Sequence, residues 1–222
     1  MPGDGVGSVS PGGDCAPRLD RMKTDMDKTY DAAYFQRWYR DRGIAGRAAL
    51  ARKVALAVAI AEFYLERPIR SVLDVGCGEA PWRAPLLKLR PGLHYQGVDS
   101  SEYAVARYGR TRNIALASFG QLGELRFGQP VDLLVCSDVI HYVPTAELKR
   151  GLAGFSEHCD GVAFLELYTG GDDIAGDKKG FLPRSAKSYR KWFRDAGFVS
   201  CGSHAYLSEN LHANAVELEV LD

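Results

Sequence analysis

Two acids and two glycines carry the first chemistry legible in the chain. Asp74, Gly76 and Gly78 form a D-x-G-x-G turn after the apolar run Ser71-Val72-Leu73, and Asp99 stands 25 residues beyond Asp74. A glycine pair between a buried strand and a helix permits a tight turn and lets a ligand approach the backbone. An acid closing the next strand can accept hydrogen bonds from a ribose diol. Asp99 could equally N-cap the helix that follows, as could Ser100 or Ser101, and the two roles are compatible. The turn departs from the dinucleotide fingerprint G-x-G-x-x-G, because residue 81 is proline. No G-x-x-x-x-G-K-[ST] occurs, which excludes a P-loop. The pattern points to a nucleoside ligand without a pyrophosphate.

A second group of residues could act on whatever lies beside that ligand. His141 follows a strongly apolar strand, at the sheet edge where open α/β sheets bind ligands, and histidine titrates near neutrality. It is the candidate general base; the other reading is a structural histidine bonding a neighbouring loop. Glu166 interrupts an apolar run, and a buried carboxylate needs a partner: an amine substrate, a cofactor, or Arg184. Tyr168, Asp172, Asp173 and Asp177 follow it in a loop that could close as a lid. Asp138 with these acids could instead hold Mg²⁺, but the spacing favours no metal site. Tyr30, Tyr34, Phe35, Trp38 and Tyr39 cluster near the N-terminus, with 30, 34 and 38 on one helical face. They either pack on the domain or close over an acceptor, where Tyr30, Tyr34, Trp38, Tyr142, Glu166, Tyr168 and Arg184 would be substrate residues.

The elements that must position these groups alternate. Residues 1–20 read as a disordered tail rich in Gly, Pro and Ser. Residues 21–222 read as one domain, with an N-terminal helical lid over 21–67 and a Rossmann-like core over 68–222. In the lid, helices are expected over Asp25–Arg42 and Ala45–Glu66, the latter with Ala49, Leu50, Val54, Leu56, Ala57, Ile60, Ala61 and Tyr64 inward. Strands are expected at 71–75, 94–98, 113–118, 131–136 and 161–167. Helices are expected from Pro81 at a first helical position, over 102–108, over 144–158 with Thr145 as N-cap, and over 184–196. Two last strands, 198–206 and 213–220, would form a hairpin. Repeated strand–helix units imply an α/β, doubly wound sheet of seven strands, mostly parallel with an antiparallel C-terminal strand.

Composition bounds the partners. The 222 residues carry 28 Lys plus Arg and 28 Asp plus Glu, a net charge of zero, so no global field invites nucleic acid. Five cysteines, none in a CxxC pair, imply a reducing compartment, and a cytoplasmic location is expected. No signal peptide is evident, and Ala48 to Leu65 is too charged to span a membrane.

Three stretches carry a family resemblance: V-L-D-V-G-C-G-E-A-P from Val72, Y-Q-G-V-D-S-S from Tyr95, and V-D-L-L-V-C-S-D-V-I-H-Y-V-P from Val131. They resemble motifs of the class I S-adenosylmethionine-dependent methyltransferases, over about residues 70–220. The resemblance implies S-adenosyl-L-methionine as cofactor and S-adenosyl-L-homocysteine as product. It places Asp74, Gly76 and Gly78 at the methionine part, with Trp82 beside them. Asp99 would take the ribose hydroxyls, Ser100 would lie near the adenosine, and Ser137 and Asp138 would pass beside the sulfonium. Members often carry an acid after the third strand for the adenine amino group. Here the stretch is Ala117-Ser118-Phe119-Gly120-Gln121, which leaves Ser118 or backbone to bond the base and Phe119 to stack on it. Ser137-Asp138-Val139-Ile140-His141-Tyr142 replaces an N-P-P-Y-like motif and looks like the small-molecule branch. The 31–39 and 165–169 segments also resemble bacterial small-molecule-type methyltransferases. The expected reaction is in-line methyl transfer to an O or N atom of a small molecule. The competing readings are a non-catalytic partner or sensor domain that binds the cofactor or its product, and an NAD-dependent enzyme.

Overall fold

The computed structural model describes residues 28–41, 46–174, 176–217 and 220. The expected tail over 1–20, and the parts of the expected elements at 25–27, 42–45 and 218–219, lie outside the described residues. Seven strands form one sheet in the order β3-β2-β1-β4-β5-β7-β6. They are β1 (Ser71–Val75), β2 (His94–Asp99), β3 (Ile114–Leu116), β4 (Val131–Ser137), β5 (Cys159–Glu166), β6 (Phe198–Gly202) and β7 (Ala205–Ser208). β1 to β5 pair in parallel, and β7 runs antiparallel between β5 and β6.

The strands are apolar on both faces because helices cover both. Val72, Leu133, Val135, Val162 and Phe164 pack against Val54, Ala57, Val58 and Ala61 of α2 (Arg47–Leu65) and Leu86 of α3 (Arg83–Leu89). Their neighbours Leu73, Val75, Leu134, Cys136, Ala163 and Leu165 face the other layer. That layer is built from α5 (Thr145–Leu152), α6 (Phe155–His158) and α7 (Ala186–Asp195). The alternation of strand side chains thus divides one run of hydrophobes between two cores. α4 (Glu102–Arg112) closes the unit between β2 and β3.

Several local expectations are corrected. The hairpin turns at Ser203 and His204, both with positive φ (50° and 64°), inside the span expected to be one strand. A two-residue turn with both central residues left-handed matches the twist of paired strands. Residues 209–214 then form a 3₁₀ turn, and 213–217 form no strand. The 144–158 helix breaks into α5 and α6 at Ala153-Gly154, where a Cβ on Gly154 would meet the Leu122 carbonyl oxygen at 2.2 Å. Thr145 is not an N-cap: Pro144 precedes the helix, and the Thr145 hydroxyl accepts from Arg184 Nε at 3.2 Å. α3 starts at Arg83, two residues beyond Pro81. On α2, Leu56 and Ala49 point outward while Val58 is buried.

The N-terminal segment is helical, as expected, but changes pitch. Asp31 caps α1 (Ala32–Phe35) by accepting from the Tyr34 amide at 2.9 Å, and a π-helical turn continues over Gln36–Asp41. Widening the turn shifts side chains off the simple four-residue stripe. Phe35 becomes the buried anchor, stacked on Tyr103 and edged by Tyr34 and Tyr39.

Candidate active site

The order of the sheet reverses between β1 and β4, and both strands end at the same edge. At that edge lies a cavity of about 920 Å³. Its floor is the β1–α3 turn. Gly76 (φ 69°) and Gly78 (φ 54°) hold left-handed conformations that glycine adopts without penalty. Added side chains would also collide: a Cβ on Gly76 would lie 2.4 Å from Val139 Cγ2, and one on Gly78 would lie 2.4 Å from the Tyr39 hydroxyl. Gly78 therefore makes room for the N-terminal aromatic segment as well as for a ligand.

The two acids differ in wiring. Asp99 Oδ2 accepts from the Gly78 amide at 2.6 Å, and Oδ1 accepts from the Ser101 amide at 2.8 Å. Each oxygen keeps a further lone pair for a diol. Burial raises the Asp99 pKa, opposed by these amide donors. The helix cap is Ser101, whose Oγ accepts from the Ala104 amide at 3.1 Å, so Asp99 is not the cap of α4. Asp74 is 2% exposed and accepts from Tyr95 Oη at 2.7 Å. Burial lifts its pKa to about 7, with the Asp99 charge adding and the Tyr95 bond opposing. An acid in that state gains from a cationic neighbour.

Ser100, Ser118, Phe119, Trp82 and Ser137 also line the cavity. Ser118 and Gln121 form a capping box that starts a 3₁₀ turn over Phe119–Gly123, and the Phe119 ring packs against Phe155. Trp82 is 4% exposed and leans on Phe164, so most of it is core.

At the opposite wall stand the groups expected to handle the acceptor. His141 sits in a 3₁₀ turn over Ile140–Tyr142, 1% exposed, with Tyr142, Tyr168 and Phe181 around its ring. Burial, then the positive charges of Lys28 and Arg184, lower its pKa to about 4, so the ring is neutral at neutral pH. Its Nδ1 accepts from the Tyr168 amide at 3.3 Å, which leaves the proton on Nε2. Tyr30, Tyr34, Trp38, Tyr142 and Tyr168 all line the cavity. Tyr30 is held by its carbonyl, which accepts from Ser101 Oγ at 2.6 Å.

Two expected substrate residues do not line it. Glu166 accepts from Lys53 Nζ and from Ser137 Oγ, both at 2.5 Å, so its partner is a lysine of α2. Arg184 spans the loop after β4, donating to the carbonyls of Ile140 and Val143 and to the Tyr189 hydroxyl. It braces the His141 turn and does not reach Glu166.

Lys53 joins the cavity with no motif to mark it, and Asp138 of the β4 motif and Asp177 of the acidic loop, the partner of Lys28, line it too. Asp138 has φ 61°, and its Oδ1 is buried with no hydrogen-bond partner. Burial, then the Glu166 charge, raises its pKa, and Lys53 opposes the shift. Lys53 falls three residues after Leu50 and beside buried Val54, so the helical period of α2 was the one signal for it. Among the described residues no cluster of His, Cys, Asp and Glu is arranged to hold a metal ion, and no helix is long and apolar enough to cross a membrane.

Comparison with known proteins agrees with this geometry. Residues 73–161 match the family model of a methyltransferase domain. No curated protein sequence matches the chain. Among solved structures, it is similar to the sugar N-methyltransferase KedS8 from Streptoalloteichus sp. at 18% identity and a TM-score of 0.61, covering 92% of this chain and 98% of that one. DesVI of Streptomyces venezuelae aligns at 15% identity and a TM-score of 0.61, over 80% of this chain and 98% of that one. Magnesium protoporphyrin IX methyltransferase from Synechocystis, with bound SAH, aligns at 19% and 0.56, over 80% and 92%. The D-x-G-x-G turn, the sheet order with its antiparallel β7 and the matched stretch agree: residues 73–161 are similar to a methyltransferase domain, on a fold shared with solved methyltransferases.

Proposed function

We propose that the chain moves a methyl group from S-adenosylmethionine to an O or N atom of a small molecule. One observation carries the reading: a single cavity joins the Asp74–Gly78 turn and Asp99 at one end to an aromatic wall around His141 at the other. The residues present fit the cofactor. Asp99 has lone pairs left for two ribose hydroxyls, and Asp74 and the unpartnered Asp138 Oδ1 offer acceptors to cationic or N–H groups. Bound there, S-adenosylmethionine supplies an electrophilic methyl group.

The chain's own residues then align and dry the reacting atoms. Gly76 and Gly78 admit the cofactor to the strand ends, and Asp99 fixes its ribose end. Tyr30, Tyr34, Tyr142 and Tyr168 wall the acceptor side and exclude water. Neutral His141 is the candidate proton acceptor for a hydroxyl nucleophile. To serve, it must give up the Tyr168 amide at Nδ1 or relay the proton from Nε2, so its first role is to orient the acceptor. The location proposed is the cytoplasm, and the acceptor is proposed to be neither nucleic acid nor membrane lipid.

A thermal-shift series with S-adenosylmethionine, S-adenosylhomocysteine and NAD tests the cofactor end. Stabilisation by the first two is expected, and stabilisation by NAD alone would overturn the reading. Incorporation of labelled methyl from S-adenosylmethionine into a metabolite extract tests turnover. It also separates an enzyme from a sensor domain, which would bind but transfer nothing.

A further inference from the structure

The acceptor wall already holds a cation. Lys28 Nζ lies 3.5 Å from the centre of the Tyr142 ring, 5.2 Å from that of Tyr34 and 5.3 Å from that of Tyr30. It also pairs with Asp177 Oδ2 at 2.8 Å, and the side chains of Lys28 and Asp177 are 8% and 16% exposed. Three aromatic rings and one carboxylate around an ammonium form a cation-selective enclosure, because each ring presents the negative face of its quadrupole. The enclosure is built from both closing segments and the floor between them. Tyr30 and Tyr34 come from the N-terminal segment, Tyr142 from the turn after β4, and Asp177 from the loop after β5. Tyr142 binds that loop a second time, donating from its hydroxyl to the Asp177 carbonyl at 2.6 Å. Tyr30, Tyr34, Tyr142 and Asp177 all line the cavity that contains the cofactor turn.

We propose that Tyr30, Tyr34, Tyr142 and Asp177 form an ammonium subsite for an amine-bearing methyl acceptor, and that the Lys28 side chain occupies this subsite as an internal stand-in.

Lysine is a replaceable occupant. Its strongly hydrated ammonium loses water in the cage, and burial is the largest influence on its pKa, which falls below the ordinary lysine value despite Asp177. An acceptor amine in the same place would likewise shed a proton to solvent more readily than in water. The free amine then forms a nitrogen–carbon bond to the methyl of S-adenosylmethionine as the carbon–sulfur bond breaks. Sulfur keeps that electron pair, and the methylated ammonium releases its extra proton to solvent. Turnover rests on the methyl-transfer reading above; occupancy of the cage rests on geometry alone.

The test therefore reads binding first, with tetramethylammonium as a cation that cannot be methylated and tert-butanol as a neutral comparator. Calorimetric titrations are run on the full chain with S-adenosylhomocysteine present. Lys28→Ala should bind tetramethylammonium about ten-fold tighter than the parent protein, with no such gain for tert-butanol. Lys28→Met, which refills the cage with a neutral stem, should show no gain, and Lys28→Ala with Tyr142→Ala should lose it. Equal affinity in Lys28→Ala and the parent overturns the proposal, as does a gain that survives removal of Tyr142. Should Lys28→Ala lack a cooperative melt, NMR of the parent decides. Tetramethylammonium should move the Lys28 side-chain methylene resonances from their ring-shifted positions toward those of free lysine, and unmoved resonances at saturation overturn the proposal. Failure of S-adenosylhomocysteine to bind the parent would instead refute the methyl-transfer reading and leave the cage result standing.

Discussion

Asp74 offers the sharpest quantitative test of the site. Its carboxyl is buried at the end of β1, and burial raises its pKa from 3.8 to about 7. The folded state therefore holds this proton more tightly than the unfolded chain. Between about pH 4 and pH 7, unfolding releases it, so this group's contribution to stability falls as pH rises. A shift of about three units at 1.36 kcal/mol each sets an upper bound of about 4 kcal/mol, reached just above pH 7. Asp74→Asn keeps an oxygen for the Tyr95 hydroxyl, whose bond to Asp74 is 2.7 Å long, and removes the titration. Urea unfolding of both proteins at pH 5 and pH 8.5 isolates the term, because contributions of His141 and Asp99 largely cancel in the difference. The variant should gain on the parent by about 3 kcal/mol between the two pH values, because the part of the effect between pH 4 and pH 5 is already spent at the lower one. A difference that does not change with pH would refute the account of Asp74 as a protonated acid in the free protein. A cationic ligand end beside Asp74 should reverse the effect. S-adenosylmethionine affinity should rise with pH up to about 7 and then level, with proton release at pH 6 visible as a buffer-dependent binding enthalpy.

Other expectations follow from single contacts. Asp99→Ala removes two amide acceptors and the ribose acceptor together. Cofactor affinity should fall by about a hundred-fold on the usual value of hydrogen bonds to a charged group, and unchanged affinity by calorimetry would show that Asp99 serves only the loop. Gly76→Ala places a methyl 2.4 Å from Val139 in a left-handed conformation. A loss of about 2 kcal/mol or more in chemical denaturation is expected, partly recovered by a second change, Val139→Ala. Lys53→Met leaves Glu166 and Asp138 facing each other without their cation. Stability should fall by about 1–3 kcal/mol at pH 8 and recover toward pH 5 as Asp138, whose pKa burial raises, takes up a proton, and a loss equal at both pH values would count against the electrostatic account.

The legible and illegible parts of the chain separate by range of interaction. β1, β2, β4 and β5 were readable because each is a short apolar run ended by a turn signal, and a strand buried on both faces tolerates little else. Asp74, Gly76, Gly78 and Asp99 were readable because their spacing is dictated by one strand–turn–helix unit. The hairpin was misplaced because Ser203 and His204 are not strong turn formers. The turn is imposed where β7 pairs with β5, Phe164 against Ala205 and Val162 against Leu207, and those partners lie outside the local window. The break between α5 and α6 had the same origin, since Gly154 is needed where Leu122 crosses it.

Sequence by itself determined the α/β class, the strand–helix alternation, the glycine turn and the two acids that line the cavity at its end. These depend on backbone geometry and on contacts within a few residues of one another. Tertiary structure alone decided who partners whom. It gave Glu166 to Lys53 across 113 residues, assigned Arg184 to the His141 turn, left Asp138 Oδ1 without a partner, and carried Lys28 into a ring of tyrosines. The physical reason is that a buried charge is settled by whichever opposite charge or aromatic face the fold brings within reach. The sequence distance between two such groups says nothing about that meeting.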